Sequence, residues 1–315
     1  MLTRRNVITF MALATAFAGA GPASGQEKTK VVATFSILGD LVKNVGGDRV
    51  ELTTLVGPDG DAHVYSPSPA DGRKLAEAKV VFANGLKYEG WIGRLVKSSG
   101  TKATTVEAAR GVKTLTAEGE KGHAQAQAQA HGHARAHGHG EVDPHAWQNV
   151  ANAKIYVANI RDALVVADPA GKAAYEASAA AYLDKLDNLD REARAAVAQI
   201  PAERRKIITA HDAFAYFEAA YGMDFIAPRG VSTEAEASAK DVARIIQQIR
   251  RDKIRAVFLE NVSDPRLVEQ IARETGAKIG GKLYSDALSP EGGPAATYIE
   301  MMRHNIGAFS TALSS

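Results

Sequence analysis

Two proline-marked breaks, Asp168-Pro169 and Pro201, enclose a stretch in which Tyr175, Tyr182, Leu186, Leu189, Ala193 and Val197 recur at spacings of three, four or seven. That period belongs to one uninterrupted helix. A residue before proline resists helical conformation, which sets the limits. A helix from about Gly171 to Ile200 would be about 45 Å long at the standard rise per residue. It is preceded by a second helical stretch, Ala151 to Ala167, with Tyr156, Ile160, Ala163, Leu164 and Ala167 on one face. A rod of this length can run the whole length of a two-domain protein as a stiff spine.

Both flanks of the spine alternate strand with helix. Before it, KVVATFSI (Lys30 to Ile37) reads as a strand, followed by a helix through Leu41 and Val45. RVELTTLV (Arg49 to Val56) and KVVFA (Lys79 to Ala83) are further strands. Pro69 to Ala78 is a helix with proline at its start and Ser68 as its cap. After the spine, KIITA (Lys206 to Ala210), MDFIA (Met223 to Ala227), IRAVFL (Ile254 to Leu259) and Ala277 to Leu283 are strands. Helices are predicted over Ala239 to Arg251, Pro265 to Thr275 with Asp264 as cap and Gly276 as stop, and Ala295 to Leu313. The pattern predicts an α/β fold: two lobes, each with a mostly parallel sheet flanked by helices, joined by a long rigid helix. The boundaries are a signal peptide over 1–25, a first lobe over 26–165, the spine over 166–200 and a second lobe over 201–315. Parallel sheets bind ligands at the carboxyl ends of their strands, and two lobes leave a cleft between them.

The N-terminus has the order of an export signal. Arg4 and Arg5 precede an apolar run from Val7 to Ala18, and a small-residue stretch from Gly19 to Gln26 follows. The Thr3-Arg4-Arg5 start hints at twin-arginine export. The apolar run is too short for a permanent membrane anchor, so a soluble protein released into the periplasm is expected. The chain has no cysteine. That excludes thiolate metal sites, disulfides, cysteine nucleophiles and a cysteine-linked lipid. With 38 basic and 36 acidic residues, the charge gives no reason to expect nucleic acid or an anionic membrane as partner.

The segment 118–141 reads EGEKGHAQAQAQAHGHARAHGHGE and holds five of the nine histidines: His123, His131, His133, His137 and His139. It has almost no large apolar side chains, so it cannot bury a core and reads as a mobile loop. Its imidazoles are candidates for weak accessory metal binding, which would fail below about pH 6 as they protonate, and the segment equally reads as a solvated insert with no role.

Four further motifs set metal-capable side chains at or just beyond strand ends. GPDGDAHVYSPSP (57–69) carries His63, VDPHAWQNV (142–150) carries His145, IITAHDAFAYF (207–217) carries His211 and LYSDALSP (283–290) carries Asp286. Three imidazole nitrogens and one carboxylate oxygen form a tetrahedral set suited to Zn²⁺. Each histidine alone is equally an ordinary loop or strand-end residue, and their wide separation in sequence does not by itself join them.

Taken together and in this order, the four motifs resemble the cluster A-I metal receptors of ABC importers, the zinc and manganese solute-binding proteins. DPHAWQNV and TAHDAFAYF are the most specific, and GPAATYIEMMRHNI (293–306) is similar to the family's closing helix. The resemblance implies a non-enzymatic receptor that delivers its ion to the membrane permease of an ABC importer, and a monomer. It also implies His63, His145, His211 and Asp286 as ligands. Manganese and iron receptors tend to carry glutamate at the third position, so His211 implies zinc. Some zinc receptors use an acid near the first histidine in place of the last ligand, which would be Asp61 here. Many carry a histidine-rich loop where this chain has one, and some are loaded by a periplasmic metallochaperone. Trp147 and Tyr65 are expected to wall the site. Glu260, Asp143 and Asp212 are candidates to hydrogen-bond ligand histidines, the two aspartates equally as helix caps.

The alternatives are a Mn²⁺ or Fe²⁺ receptor of the same family and, from a different class, a zinc-dependent hydrolase. A hydrolase needs an open coordination position and a general base, and no HExxH pattern is present.

Overall fold

The computed structural model describes residues 27–116 and 141–314. The expected signal segment and the five insert histidines, His123, His131, His133, His137 and His139, lie outside the described residues.

The first half alternates β1 (Thr29–Phe35), α1 (Ser36–Gly46), β2 (Val50–Val56), α2 (Pro69–Glu77), β3 (Val80–Ala83), α3 (Ile92–Ser99) and β4 (Thr104–Glu107). Its four strands pair in parallel in the order β2-β1-β3-β4. β1 and β3 are buried almost throughout, as strands covered on both faces must be. α2 begins as its sequence requires. Ser68 accepts from the backbone of Asp71, Asp71 accepts in return from Ser68, and Pro69 takes the first helical position.

Two helices follow, α4 (Val150–Ala167) and α5 (Lys172–Ala198). α5 has 27 residues, about 40 Å at the standard rise. It is shorter than its apolar period suggests, because Pro169–Gly171 forms a separate 3₁₀ turn and Ile200 lies beyond the last turn. Asp168 ends α4, and its Oδ2 accepts from Arg49 Nε at 3.1 Å and Nη2 at 2.8 Å and from the Tyr175 hydroxyl at 2.8 Å. The elbow between the two helices is thereby fastened to the end of the first αβ unit. The buried face of α5 is Tyr175, Ala179, Tyr182, Leu186, Leu189, Ala193 and Val197.

The second half contains β5 (Lys206–Ile208), α6 (Ala215–Tyr221), β6 (Asp224–Ile226), α7 (Ala239–Asp252), β7 (Ala256–Glu260), α8 (Arg266–Thr275), β8 (Lys278–Leu283) and α9 (Tyr298–Leu313). Its strands are parallel in the order β6-β5-β7-β8. In both sheets the second strand in sequence sits at the edge and the first lies inside it. α9 starts at Tyr298 rather than Ala295, because Thr297 caps it by accepting from Glu300 N.

One apolar core runs through both halves. It joins Phe35, Leu38 and Val81 of the first half, Tyr156 and Ile160 of α4, Leu186 and Leu189 of α5, and Phe214, Phe258, Met301 and Phe309 of the second. A smaller cluster, with Ile208, Ile245, Val257 and Ile271, lies between the second sheet and α7 and α8.

Candidate metal centre

The four motifs meet where the carboxyl ends of the two sheets face each other. His63 lies in the loop after β2, His145 in the loop before α4, His211 three residues past β5 and Asp286 three residues past β8. His145, His211 and Asp286 are fully buried, and His63 nearly so. One donor atom from each lies within 4.8 Å of the others.

All three imidazoles present Nε2 to the centre. His63 Nε2 is 3.2 Å from His145 Nε2 and 3.3 Å from Asp286 Oδ2. His211 Nε2 is 3.1 Å from Asp286 Oδ2, and His145 Nε2 is 3.6 Å from Oδ1. A tetrahedron built on bonds of about 2.05 Å has edges of about 3.3 Å. Both ring nitrogens of His211 and both Asp286 oxygens are buried yet make no directed hydrogen bond. Close approach without hydrogen-bond direction is how ligand atoms stand around a shared cation, and a buried polar group otherwise carries a penalty.

Carboxylates outside this ring fix the imidazoles. Asp143 Oδ1 accepts from the backbone N–H of His145 at 2.8 Å and lies 2.7 Å from its Nδ1. Glu260 Oε1 accepts from the backbone N–H groups of Ala210 at 2.6 Å and His211 at 3.0 Å. Its Oε2 lies 2.5 Å from His211 Nδ1 and accepts from the Ser285 hydroxyl at 2.9 Å. Burial opposes a charge on His145, but Asp286 and Asp143 outweigh it and hold its pKa up at about 9. Burial likewise opposes charge on His211, while Glu260 and Asp286 drive its pKa well above the usual imidazole range. Burial would raise the Asp286 carboxyl, yet His211 and His145 hold it well below the usual range. The buried carboxylates of Asp143, Glu260 and Asp286 thus surround the imidazoles with negative charge, a setting that suits a cation.

Ser285 also ties the halves together. Its carbonyl accepts from Trp147 Nε1 at 2.9 Å and Gln148 Nε2 at 2.8 Å, from the loop that carries His145. Trp147 walls the site as expected, its ring 5.3 Å from that of His145. Tyr65 does not. Its ring packs on Trp91 and its hydroxyl donates to Asp71 at 2.8 Å. The wall beside His63 is Tyr88, with ring centres 4.6 Å apart, a residue that sequence reasoning passed over. Its signal is the Asn84-Gly85-Leu86-Lys87 turn, in which Gly85, Leu86 and Lys87 all have positive φ and bring Tyr88 back into the core.

Asp61 is not one of the clustered donors. Its carboxylate accepts from His63 N at 2.9 Å and from the Thr233 hydroxyl at 2.6 Å, so it shapes the His63 loop instead. His304 stands apart, with Nε2 2.9 Å from the Lys282 carbonyl. The segment holding the insert histidines departs at Thr116 and returns at Val142, which form an antiparallel bridge three residues before His145.

Two α/β halves that enclose a buried His₃Asp cluster define a metal-binding substrate receptor of the ABC-transporter type. The chain belongs to the family described as "Zinc-uptake complex component A periplasmic", whose pattern matches residues 31–312. It is 34% identical over 311 residues to the manganese-binding lipoprotein MntA of Halalkalibacterium halodurans, covering 98% of this chain and 97% of that one. It is 33% identical to the manganese ABC transporter substrate-binding lipoprotein PsaA of Streptococcus pneumoniae, over 94% of this chain and 92% of that one. The fold matches the periplasmic zinc binding protein TroA of Treponema pallidum with a TM-score of 0.81 and 31% identity, covering 91% of this chain and all of TroA. It also matches a Mn-bound periplasmic metal binding protein of Candidatus Liberibacter asiaticus, with a TM-score of 0.78, 28% identity and the same coverage. Family members are receptors that work with a membrane permease and ATPase, not enzymes, so the hydrolase alternative falls. The comparisons speak of the importer and lend no support to a loading metallochaperone. Among the described residues no helix is long and apolar enough to cross a membrane.

Proposed function

We propose that this protein is a periplasmic zinc receptor that captures Zn²⁺ with His63, His145, His211 and Asp286 and delivers it to an ABC importer. The single observation that carries the reading is the donor set: three imidazole Nε2 atoms and one carboxylate gathered within 4.8 Å. Zinc accepts four nitrogen and oxygen donors at tetrahedral spacing, and imidazole-rich sites favour it over manganese, which prefers oxygen. The relatives named for manganese favour the second reading, a Mn²⁺ or Fe²⁺ receptor using the same four residues.

Segment 1–25 is read as a cleaved export signal. Several relatives are named lipoproteins, whereas no cysteine is present in this sequence to carry a thioether lipid. The mature protein is read as an exported monomer. His123, His131, His133, His137 and His139 would gather zinc weakly near the site and raise its local concentration. With the spine bridging both halves, release would proceed by movement of the ligand loops rather than by wide opening.

The test is metal content and competitive titration of the mature protein with Zn²⁺, Mn²⁺ and Fe²⁺. Zinc is expected to win, and a preference for Mn²⁺ would reverse the choice of ion. His211→Ala should lower zinc affinity far more than deletion of 118–140, and equal affinities would sink the ligand assignment.

A further inference from the structure

We propose that a cationic groove at the outer end of the second half docks on the phosphate headgroups of an anionic phospholipid surface. The proposal is independent of which metal the four clustered residues bind.

The groove has a volume of about 750 Å³, within the range of pockets that take small ligands. It opens at the amino end of β7, where Ala256 lies on its wall. Glu260, at the other end of the same strand, stands behind His211. The two positions are four residues apart along the strand, about 13 Å. The groove is therefore no part of the metal centre.

Its charge is one-sided. Arg250, Lys253, Arg255 and Lys278 line it, and no aspartate or glutamate does. The acids nearest in sequence face other partners. Asp252 is paired with Lys206 at 3.2 Å and Arg251 at 2.8 Å, and Glu274 Oε1 accepts from Gln270 at 2.8 Å. Arg250 donates to a carbonyl, that of Glu274, at 2.8 Å. Among the described residues Arg250, Lys253 and Lys278 form no ion pair. Helix ends account for part of this charge. α7 and α8 both finish at the groove, with Lys253 and Gly276 as their capping residues. A helix carboxyl end carries about −0.5 of a charge, so the two offset about one of the three unpaired cations and leave an excess of about two.

The hollow beside β1 and β2 in the first half is the contrast. It measures about 280 Å³ and is lined by Lys30, Arg73 and Lys74, but also by Glu51 and Glu77. Lys30 is paired with Glu77 at 3.0 Å, and Lys74 with Asp71 at 3.0 Å. That hollow neutralises itself, whereas the groove does not. The near balance of 38 basic and 36 acidic residues over the whole chain hides the difference.

The rest of the groove wall is apolar. Ile279, on the edge strand β8, is 46% exposed, and Ala312 comes from the last turn of α9. Cations around a half-exposed isoleucine match a surface where phosphates lie above acyl chains. A freely soluble anion has no use for the apolar wall. Such a contact suits a receptor that works with a membrane permease. Several relatives are named lipoproteins, whereas this sequence holds no cysteine for a thioether lipid.

The test is co-sedimentation of the full mature chain with phosphatidylcholine vesicles that do or do not contain phosphatidylglycerol. Binding is expected only with phosphatidylglycerol, and it should weaken as salt is added. A cation near an anionic leaflet is worth about fivefold in partition, so Lys253→Asn with Lys278→Gln should lower binding about twenty-five-fold. Asparagine tolerates the left-handed backbone of residue 253, whose φ is 52°. Lys278→Gln alone, at an exposed position, should lower binding about fivefold and serves if the double variant is unstable. Lys97→Gln with Lys102→Gln removes the same charge from the first half and should stay within about twofold of the parent. Ile279→Ser should weaken binding without changing its salt dependence. Equal losses in the two double variants would reduce the effect to net charge and overturn the site, as would no binding to phosphatidylglycerol vesicles. Release by inorganic phosphate, with Ile279→Ser binding like the parent, would show a site for soluble anions and overturn the membrane reading. Circular dichroism confirms that each variant is folded, so none of these outcomes depends on the metal.

Discussion

Thr233 donates its hydroxyl to Asp61 Oδ2 at 2.6 Å, across the cleft from the second half to the loop that carries His63. The other oxygen of the same carboxylate accepts from the backbone N–H of His63 at 2.9 Å. One aspartate therefore shapes the first ligand loop and fastens it to the opposite half. Thr233→Val keeps the shape and removes only the crossing bond. A hydrogen bond to a charged group contributes about 1.5–3 kcal/mol, so the bound metal should dissociate about ten- to a hundredfold faster. Stopped-flow release to a chelator measures this, and an unchanged rate would show that the bond does not hold the loop.

Glu89, next to the wall residue Tyr88 but outside the four clustered donors, gives a pH-dependent prediction. It is buried, and its Oε1 accepts from Thr34 Oγ1 at 2.5 Å and Asn84 N at 2.7 Å. Burial dominates and raises its pKa to about 7. A raised acid pKa means that the folded state holds the proton more tightly than the unfolded chain. The benefit is full below about pH 4.5 and is lost as pH climbs to about 7, a swing of about 3 kcal/mol. Glu89→Gln mimics the protonated form. Its melting temperature relative to the parent should rise between pH 4.5 and 7.5 and then level off. A constant difference across that range would refute the buried-acid account.

The elbow at Asp168 makes a third prediction. Its carboxylate accepts from both Arg49 and Tyr175, joining the first half to the start of the long helix. Asp168→Ala removes three hydrogen bonds, two of them between charged groups, and should cost about 2–3 kcal/mol in urea unfolding. A loss below about 0.5 kcal/mol would mean that the elbow is held by apolar packing alone.

Much of the fold was legible because its buried elements announce themselves. The spine period placed the inner face of α5 except for Ala179, and Ser68-Pro69 placed the start of α2. α3 and β4 escaped notice for a physical reason. α3 is short, with Leu95 as its only fully buried residue, and β4 is an edge strand whose side chains are mostly exposed. Such elements are held by pairing and not by an apolar pattern. The four clustered residues were legible only as a set of motifs, since more than 220 positions separate His63 from Asp286. Glu260 could be flagged from its place at a strand end, and the structure adds the division of labour between its two oxygens. Tyr65 and Tyr88 exchanged places because proximity in sequence to His63 does not survive the turn at Asn84–Lys87.

The closing helix α9 has a consequence for biogenesis. Tyr298, at its first turn, donates its hydroxyl to the Trp147 carbonyl at 2.7 Å and its backbone N–H to Asp40 at 3.0 Å, reaching elements of the first half. Met301 and Phe309 complete the shared core. An incomplete chain that lacks residue 298 keeps an open first half and an unbraced Trp147 loop beside His145, so the loop carrying one of the clustered donors depends on a helix 151 positions further along the chain.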